Sequence, residues 1–218
     1  MVGPSSSHTA GAVKIGQMAR ALFDQTPTKV TFYLHGSFAT VYKGHATDKA
    51  LLAGVMKFRT ADTHIKDAFK IAKEKKIEYE FKTTDLGIGY HPNTVKIILE
   101  SDGHKKMSVI GSSIGGGNVI IVKINEFDVE LKGVAGKYMS LIISHAKRKG
   151  IIAEITAALS AMGCDIVDIQ SFRTGEQSLT FLNLEGYRPT LEDVLRIEEI
   201  DGVEFVRSLT KLGQQSLQ

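Results

Sequence analysis

Three short stretches of this chain concentrate residues that bind small polar molecules and move protons: Gly3-Pro4-Ser5-Ser6-Ser7-His8-Thr9, Lys43-Gly44-His45-Ala46-Thr47-Asp48 and His91-Pro92-Asn93-Thr94. Each supplies a histidine and a threonine. The first two stand directly ahead of helical patterns, where unpaired backbone N–H groups and the helix dipole favour a carboxylate or a phosphate. A neutral imidazole beside such a point is suited to proton transfer. Together the three stretches point to a site for a small polar ligand. Each also has a plainer reading, with Ser7 or Thr9 as a helix N-cap and residues 91–94 as an Asn-type turn entering a strand. Capping needs one hydroxyl, and the first stretch offers Ser5, Ser6, Ser7 and Thr9.

Other chemistries are poorly served. No histidine pair has the i, i+4 spacing of a helical zinc site and no carboxylate is placed to complete a triad, so the sequence predicts no metal held by this chain alone. Ser112-Ser113-Ile114-Gly115-Gly116-Gly117 has the glycines of a phosphate loop but lacks its Lys-Ser/Thr ending. The single cysteine, Cys164, excludes an internal disulfide and any iron–sulfur cluster or thiolate zinc site bound within this chain. It reads as a small packed residue.

The elements that must position these residues follow from apolar periodicity. Residues 10–23 form a helix with Ile15, Met18, Ala19 and Leu22 on one face, and 29–34 a strand running into His35-Gly36-Ser37-Phe38-Ala39-Thr40. A second helix spans 48–58. A third carries Ile65, Ala68, Phe69 and Ala72 on one face and is capped by Asp62 or Thr63. Strands at 77–82 and 94–99 flank a Gly-rich loop, and those at 119–124 and 127–131 form a hairpin around Asn125-Glu126. Gly133 and Gly136 break the pattern. Beyond them the order is strand, helix, strand, strand, helix, strand, at 139–144, 151–162, 165–172, 178–184, 191–200 and 203–208. That is the split βαβ order of a ferredoxin-like domain. The expected fold is therefore α/β (α+β), with domains at 1–134 and 137–212 and a frayed tail after Leu212. The turn from Ser144 to Gly150 adds a candidate ligand site at a helix start, with sheet-to-sheet dimerisation as the alternative role of this domain.

With 218 residues, 43 % of them hydrophobic and 23 % charged, the composition is that of an ordinary globular protein. A net charge of +3 is too small and too evenly spread to indicate nucleic acid, and Lys73 to Lys76 reads as a solvated helix end. No apolar run approaches the roughly 20 residues of a membrane span, and the N-terminus lacks a signal-peptide layout. The expected compartment is the cytoplasm, with neither membrane nor nucleic acid as partner.

Gly-Pro-Ser-Ser-Ser-His-Thr at 3–9, Gly-Ser-Phe-Ala at 36–39, Lys-Gly-His-Ala-Thr-Asp at 43–48, His-Pro-Asn-Thr at 91–94 and Ser-Ile-Gly-Gly-Gly at 113–117 occur here in that order. The set resembles the β chain of the iron–sulfur-dependent L-serine dehydratase family, and the resemblance covers nearly the whole chain. It implies an N-terminal domain akin to the allosteric substrate-binding domain of some phosphoglycerate dehydrogenases, followed by an ACT domain. It implies a lyase converting L-serine to pyruvate and ammonia, with a 4Fe-4S cluster acting as Lewis acid on the departing hydroxyl. The cluster would be bound by a separate α chain, which agrees with the lone cysteine here. An alternative is a non-catalytic regulatory subunit that binds an amino acid, and a further one is a stand-alone ACT-type sensor.

Carried over residue by residue, the resemblance makes His8 and His45 the catalytic candidates. It places Ser6, Ser7, Thr9, Thr47, Asp48, His91, Asn93 and Thr94 around the substrate. In the ACT loop, His145, Lys147 and Gly150 are the effector candidates, and a homodimer through this domain is expected. Two departures from the family stand out. A further short segment is usual upstream of Met1-Val2, and Lys147 and Lys149 replace a common aspartate and proline. The two lysines favour an effector engaged through its carboxylate.

Overall fold

After Gly11 apolar side chains recur at helical spacing, and α1, Ala12–Phe23, forms there with Ile15, Met18, Ala19 and Leu22 all buried. The computed structural model describes residues 7–103, 105–132 and 138–209. Residues 3–6, Gly133, Gly136, the boundary residues near 134 and 137 and the tail beyond Leu212 lie outside the described residues. By its internal contacts the chain divides into two units, Met1–Gly133 and Val134–Gln218.

In the first unit, α1 is preceded by a π-helical turn, Ser7–Gly11. Then come β1 Lys29–His35, α2 Gly36–Val41, α3 Thr47–Val55, a 3-10 turn Thr63–Asp67, α4 Ala68–Glu74, β2 Glu78–Thr83, β3 Thr94–Glu100, β4 Lys106–Gly115, β5 Asn118–Ile124 and β6 Phe127–Lys132. The sheet order is β2-β1-β3-β4-β5-β6, with β1 and β2 parallel and every other pair antiparallel. Alternation along β1 buries Val30, Phe32 and Leu34, which stand opposite Leu99, Ile97 and Val95 of β3. Gly111 of β4 continues that row, and Ile15 of α1 rests against it. The same register sets His35, Thr94 and Ser112 side by side at one end of the sheet. Both α2 and α3 begin near that end.

Several boundaries differ from the sequence reading. The helix expected at 48–58 closes at Val55, with Met56 as its C-cap. Asp62, rather than Thr63, caps the third helical segment, its carboxylate accepting from His64 N–H at 2.8 Å. Residues 106–115, of which the sequence reading singled out only 112–115 as the start of a glycine run, form the long strand β4, because pairing with β3 and β5 on both sides overrides the weak strand preference of serine and glycine.

The second unit contains β7 Met139–Ala146, α5 Ile151–Ala161, β8 Cys164–Thr174, β9 Gln177–Gly186, α6 Leu191–Glu198 and β10 Val203–Leu209. Its antiparallel sheet has the order β10-β7-β9-β8. This is the ferredoxin-like arrangement expected of an ACT domain. Leu141, Ile143, Ile155, Leu159, Leu182 and Ile197 form its core, and Cys164 packs among them with its thiol pushed up by burial. A capping box starts α6, where Thr190 and Asp193 each bond the other's backbone N–H.

Candidate functional site

The π-helical turn Ser7–Gly11 buries Thr9 completely and leaves His8 half-buried. His8 Nε2 lies 3.1 Å from Ser37 Oγ, at the start of α2. Its ring meets that of His45 edge to face at 4.9 Å and that of Phe38 at 5.5 Å. The first and second sequence stretches therefore meet at a pair of imidazoles. His45 reaches this point because Ala46 adopts left-handed backbone, φ 54°, which turns the chain sharply into α3.

The third stretch joins through backbone contacts. Gly36 has φ 57°, and a Cβ there would fall 2.6 Å from Pro92 O, so only glycine lets α2 start against this loop. Phe38 N–H donates to Pro92 O at 3.4 Å, and Ser113 N–H donates to Asn93 O at 2.9 Å. Thr94 Oγ1 bonds His91 O at 2.5 Å and Ser112 Oγ at 2.6 Å, so its hydroxyl serves the turn. His91 is exposed, and its Nδ1 accepts Asn93 N–H at 3.1 Å. His35 Nδ1 accepts Leu86 N–H at 3.1 Å and so ties the preceding loop to β1.

Around the imidazole pair, polar atoms are buried without partners. Thr9 Oγ1, Thr47 Oγ1, Ser113 Oγ, His45 Nδ1 and Asn93 Oδ1 have no hydrogen-bond partner among the described residues. Each such group costs on the order of 1–3 kcal/mol when desolvated and unpaired. Several of them gathered at one end of a sheet are available to hydrogen-bond a polar ligand. Ionisable neighbours are tuned there as well. Burial, and then the neighbouring His45, hold the His8 imidazole below its ordinary pKa, favouring the neutral base. Burial raises the Asp48 carboxyl, opposed by the Lys49 N–H bonded to it at 2.8 Å and by the charges of Lys49 and Lys43.

This tuning has a measurable consequence. A histidine whose pKa is lower folded than unfolded binds fewer protons in the native state, so its contribution to stability declines as pH falls below about 6.5 and levels off beneath the folded value. The wild type is expected to lose stability relative to His8→Gln between about pH 7.5 and about pH 5.5. Urea melts of both proteins at the two pH values check this, and a gap that stays constant contradicts it.

Ser6 lies outside the described residues. Ser7, His8, Thr9, His45, Thr47 and Asp48 are brought together, with Asn93 joined to them through Ser113, while His91 and Thr94 serve mainly the turn. Sequence reasoning left Ser37, Phe38 and Ser113 out of the candidate site. Ser37 and Phe38 stand in the stretch His35–Thr40 and in Gly-Ser-Phe-Ala without a site role, and Ser113 was masked by the glycines that follow it.

The candidates of the second unit line a separate cleft of about 180 Å³ at the start of α5. His145 is buried, its Nε2 lying 2.8 Å from Thr180 Oγ1 and its Nδ1 3.0 Å from Ala146 O. Lys147 pairs with Glu176 at 3.5 Å, and Arg148 clamps Glu154 through two 2.8 Å bonds. Gly150, at φ 87°, turns the chain into α5. Arg173 and Ser178 complete the lining.

No group of three or more His, Cys, Asp or Glu side chains able to hold a metal occurs among the described residues. The donor set does not fit an iron–sulfur cluster: the one cysteine is buried in the second unit, its Sγ 3.6 Å from Tyr187 O. No described helix is long and apolar enough to cross a membrane.

A family model described as the serine dehydratase β chain matches residues 1–123. The chain is 37 % identical to the L-serine dehydratase β chain of Peptoniphilus asaccharolyticus, over 94 % of this chain and 93 % of that one. It is 38 % identical to a probable L-serine dehydratase β chain of Bacillus subtilis (strain 168), over 98 % and 94 % respectively. Among solved structures it is similar to the ACT domain of a GTP pyrophosphokinase from Chlorobium tepidum, with a TM-score of 0.28 and 14 % identity, over 33 % of this chain and 96 % of that one.

Proposed function

The chain belongs to the serine dehydratase β-chain family, and from that premise we propose that it is the β subunit of a two-chain L-serine ammonia-lyase. In the proposed reaction L-serine loses its α-proton and β-hydroxyl as water, and the resulting enamine tautomerises and is hydrolysed to pyruvate and ammonia. The 4Fe-4S cluster belongs to the α chain, whose thiolates supply what this chain lacks.

The observation that carries the reading is the His8–His45 pair set among unpartnered hydroxyls. The pair handles protons. His8 is kept neutral by burial and oriented by Ser37 at 3.1 Å, and His45 lies beside it with a buried Nδ1 that no described residue engages. Thr9 and Thr47 offer hydroxyls to the substrate, and Asp48 stands at the α3 side for its ammonium group. In the second unit β8 and β10 are the sheet edges, and the proposed homodimer forms through that domain.

Coexpression with the cysteine-bearing α chain, followed by a pyruvate assay on L-serine, tests the proposal. Turnover is expected from the complex and from neither chain alone. If the α chain alone turns over serine and this chain only changes its response to amino acids, the regulatory-subunit reading replaces the catalytic one.

A further inference from the structure

We propose that Ser113 is a substrate-binding residue whose hydroxyl donates to the α-carboxylate of the amino acid; the assignment rests on the serine ammonia-lyase reading above. Ser112 and Ser113 are adjacent on β4, so their side chains leave opposite faces of the sheet. Ser112 Oγ is engaged by Thr94 Oγ1 at 2.6 Å. Ser113 is fully buried, yet its Oγ has no partner among the described residues.

Its position is fixed from two sides. Ser113 N–H is held by Asn93 O at 2.9 Å, and the side chain rests on the π-helical turn, where a Cβ on Gly11 would fall 2.1 Å from Ser113 Oγ. One helical turn beyond Gly11, Lys14 Nζ bonds Gly117 O at 2.7 Å and brings a positive charge to the same hairpin end. A neutral hydroxyl on a hairpin end that also carries a cation suits a carboxylate better than an ammonium group.

The energetics sharpen the inference. A buried hydroxyl without a partner weakens the fold, and alanine at the same point removes that penalty without adding volume. Ser113→Ala should therefore fold at least as well as the wild type, and any loss it shows must come from the ligand.

The test uses the complex of this chain with its α chain. For Ser113→Ala the KM for L-serine is expected to rise about ten- to a hundredfold, the scale of a lost hydrogen bond to a charged group, with kcat changed much less. Inhibition by L-serinamide, which lacks the carboxylate, should stay as in the wild type. The melting temperature without serine should be unchanged or higher, whereas Ser112→Ala, which breaks the bond to Thr94, should lower it. An unchanged KM overturns the proposal, as does a fall in melting temperature equal to that of Ser112→Ala. His8→Ala in the same complex separates the two ideas. If it loses turnover while Ser113→Ala keeps its KM, only the Ser113 assignment fails; if His8→Ala retains full turnover, the catalytic reading fails and Ser113 falls with it.

Discussion

His8→Ala in the assembled complex is expected to lower serine turnover by about a hundredfold or more, the usual scale for losing a positioned acid or base. The side chain it removes touches Ser37, Phe38 and His45 at once, so the substitution leaves His45 without its ring partner. The visible absorbance of the cluster proposed for the α chain should remain, because His8 is not assigned as an iron ligand. Lys75→Ala, at the exposed end of α4, is the control for general instability. An equal loss in that variant would show that folding rather than chemistry had been damaged. Unchanged turnover in His8→Ala, with altered regulation by serine, would transfer the site to a regulatory role.

The histidine stretches stand out in the sequence because side-chain types that can bind polar groups and move protons recur there in short windows. How they meet does not. His8 and His45 are 37 positions apart, and their contact depends on the left-handed Ala46 and on the packing of α1 against α3, neither of which leaves a periodic signal. The short helix α2 was also hidden, since six residues beginning with glycine and including Thr40 and Val41 show no helical stripe. β4 escaped for a different reason. Its end, Gly111-Ser112-Ser113, has little intrinsic strand preference and is held by neighbours on both sides. Ser113 was thus read as part of a glycine run instead of a buried position facing the π-helical turn. The ferredoxin-like unit was the easier case, because its strands and helices alternate in clean apolar patterns and its core lies within one short segment.

The contact that sets the imidazole pair also makes the strongest stability prediction. Gly16 of α1 and Gly54 of α3 face each other: a Cβ on Gly16 would lie 2.4 Å from Leu51 O and 2.9 Å from Val55 N, and one on Gly54 would lie 2.2 Å from Val13 O. These neighbours are backbone atoms of a helix, which cannot turn aside as a side chain would. In an isolated helix Gly→Ala gains about 1 kcal/mol from propensity. Here overpacking, at roughly 1–3 kcal/mol or more, should outweigh it and reverse the sign. Gly16→Ala is expected to lower the melting temperature by about 2–8 °C, from a net loss of about 1–2 kcal/mol and the usual conversion for a chain of this size. Relieving the clash requires α1 and α3 to part by about 1 Å, the misplacement that can cost a factor of about a hundred in rate. Because α1 continues from the turn bearing His8, and α3 starts two residues after His45, that separation opens the 4.9 Å ring contact itself. Turnover at 20 °C, well below the melting transition, should therefore fall along with stability. Gly103→Ala, whose Cβ meets nothing within 4 Å, should change neither. A Gly16→Ala protein that melts higher than the wild type would show that the helices can approach without glycine, and the close crossing would lose its role in positioning His8 against His45.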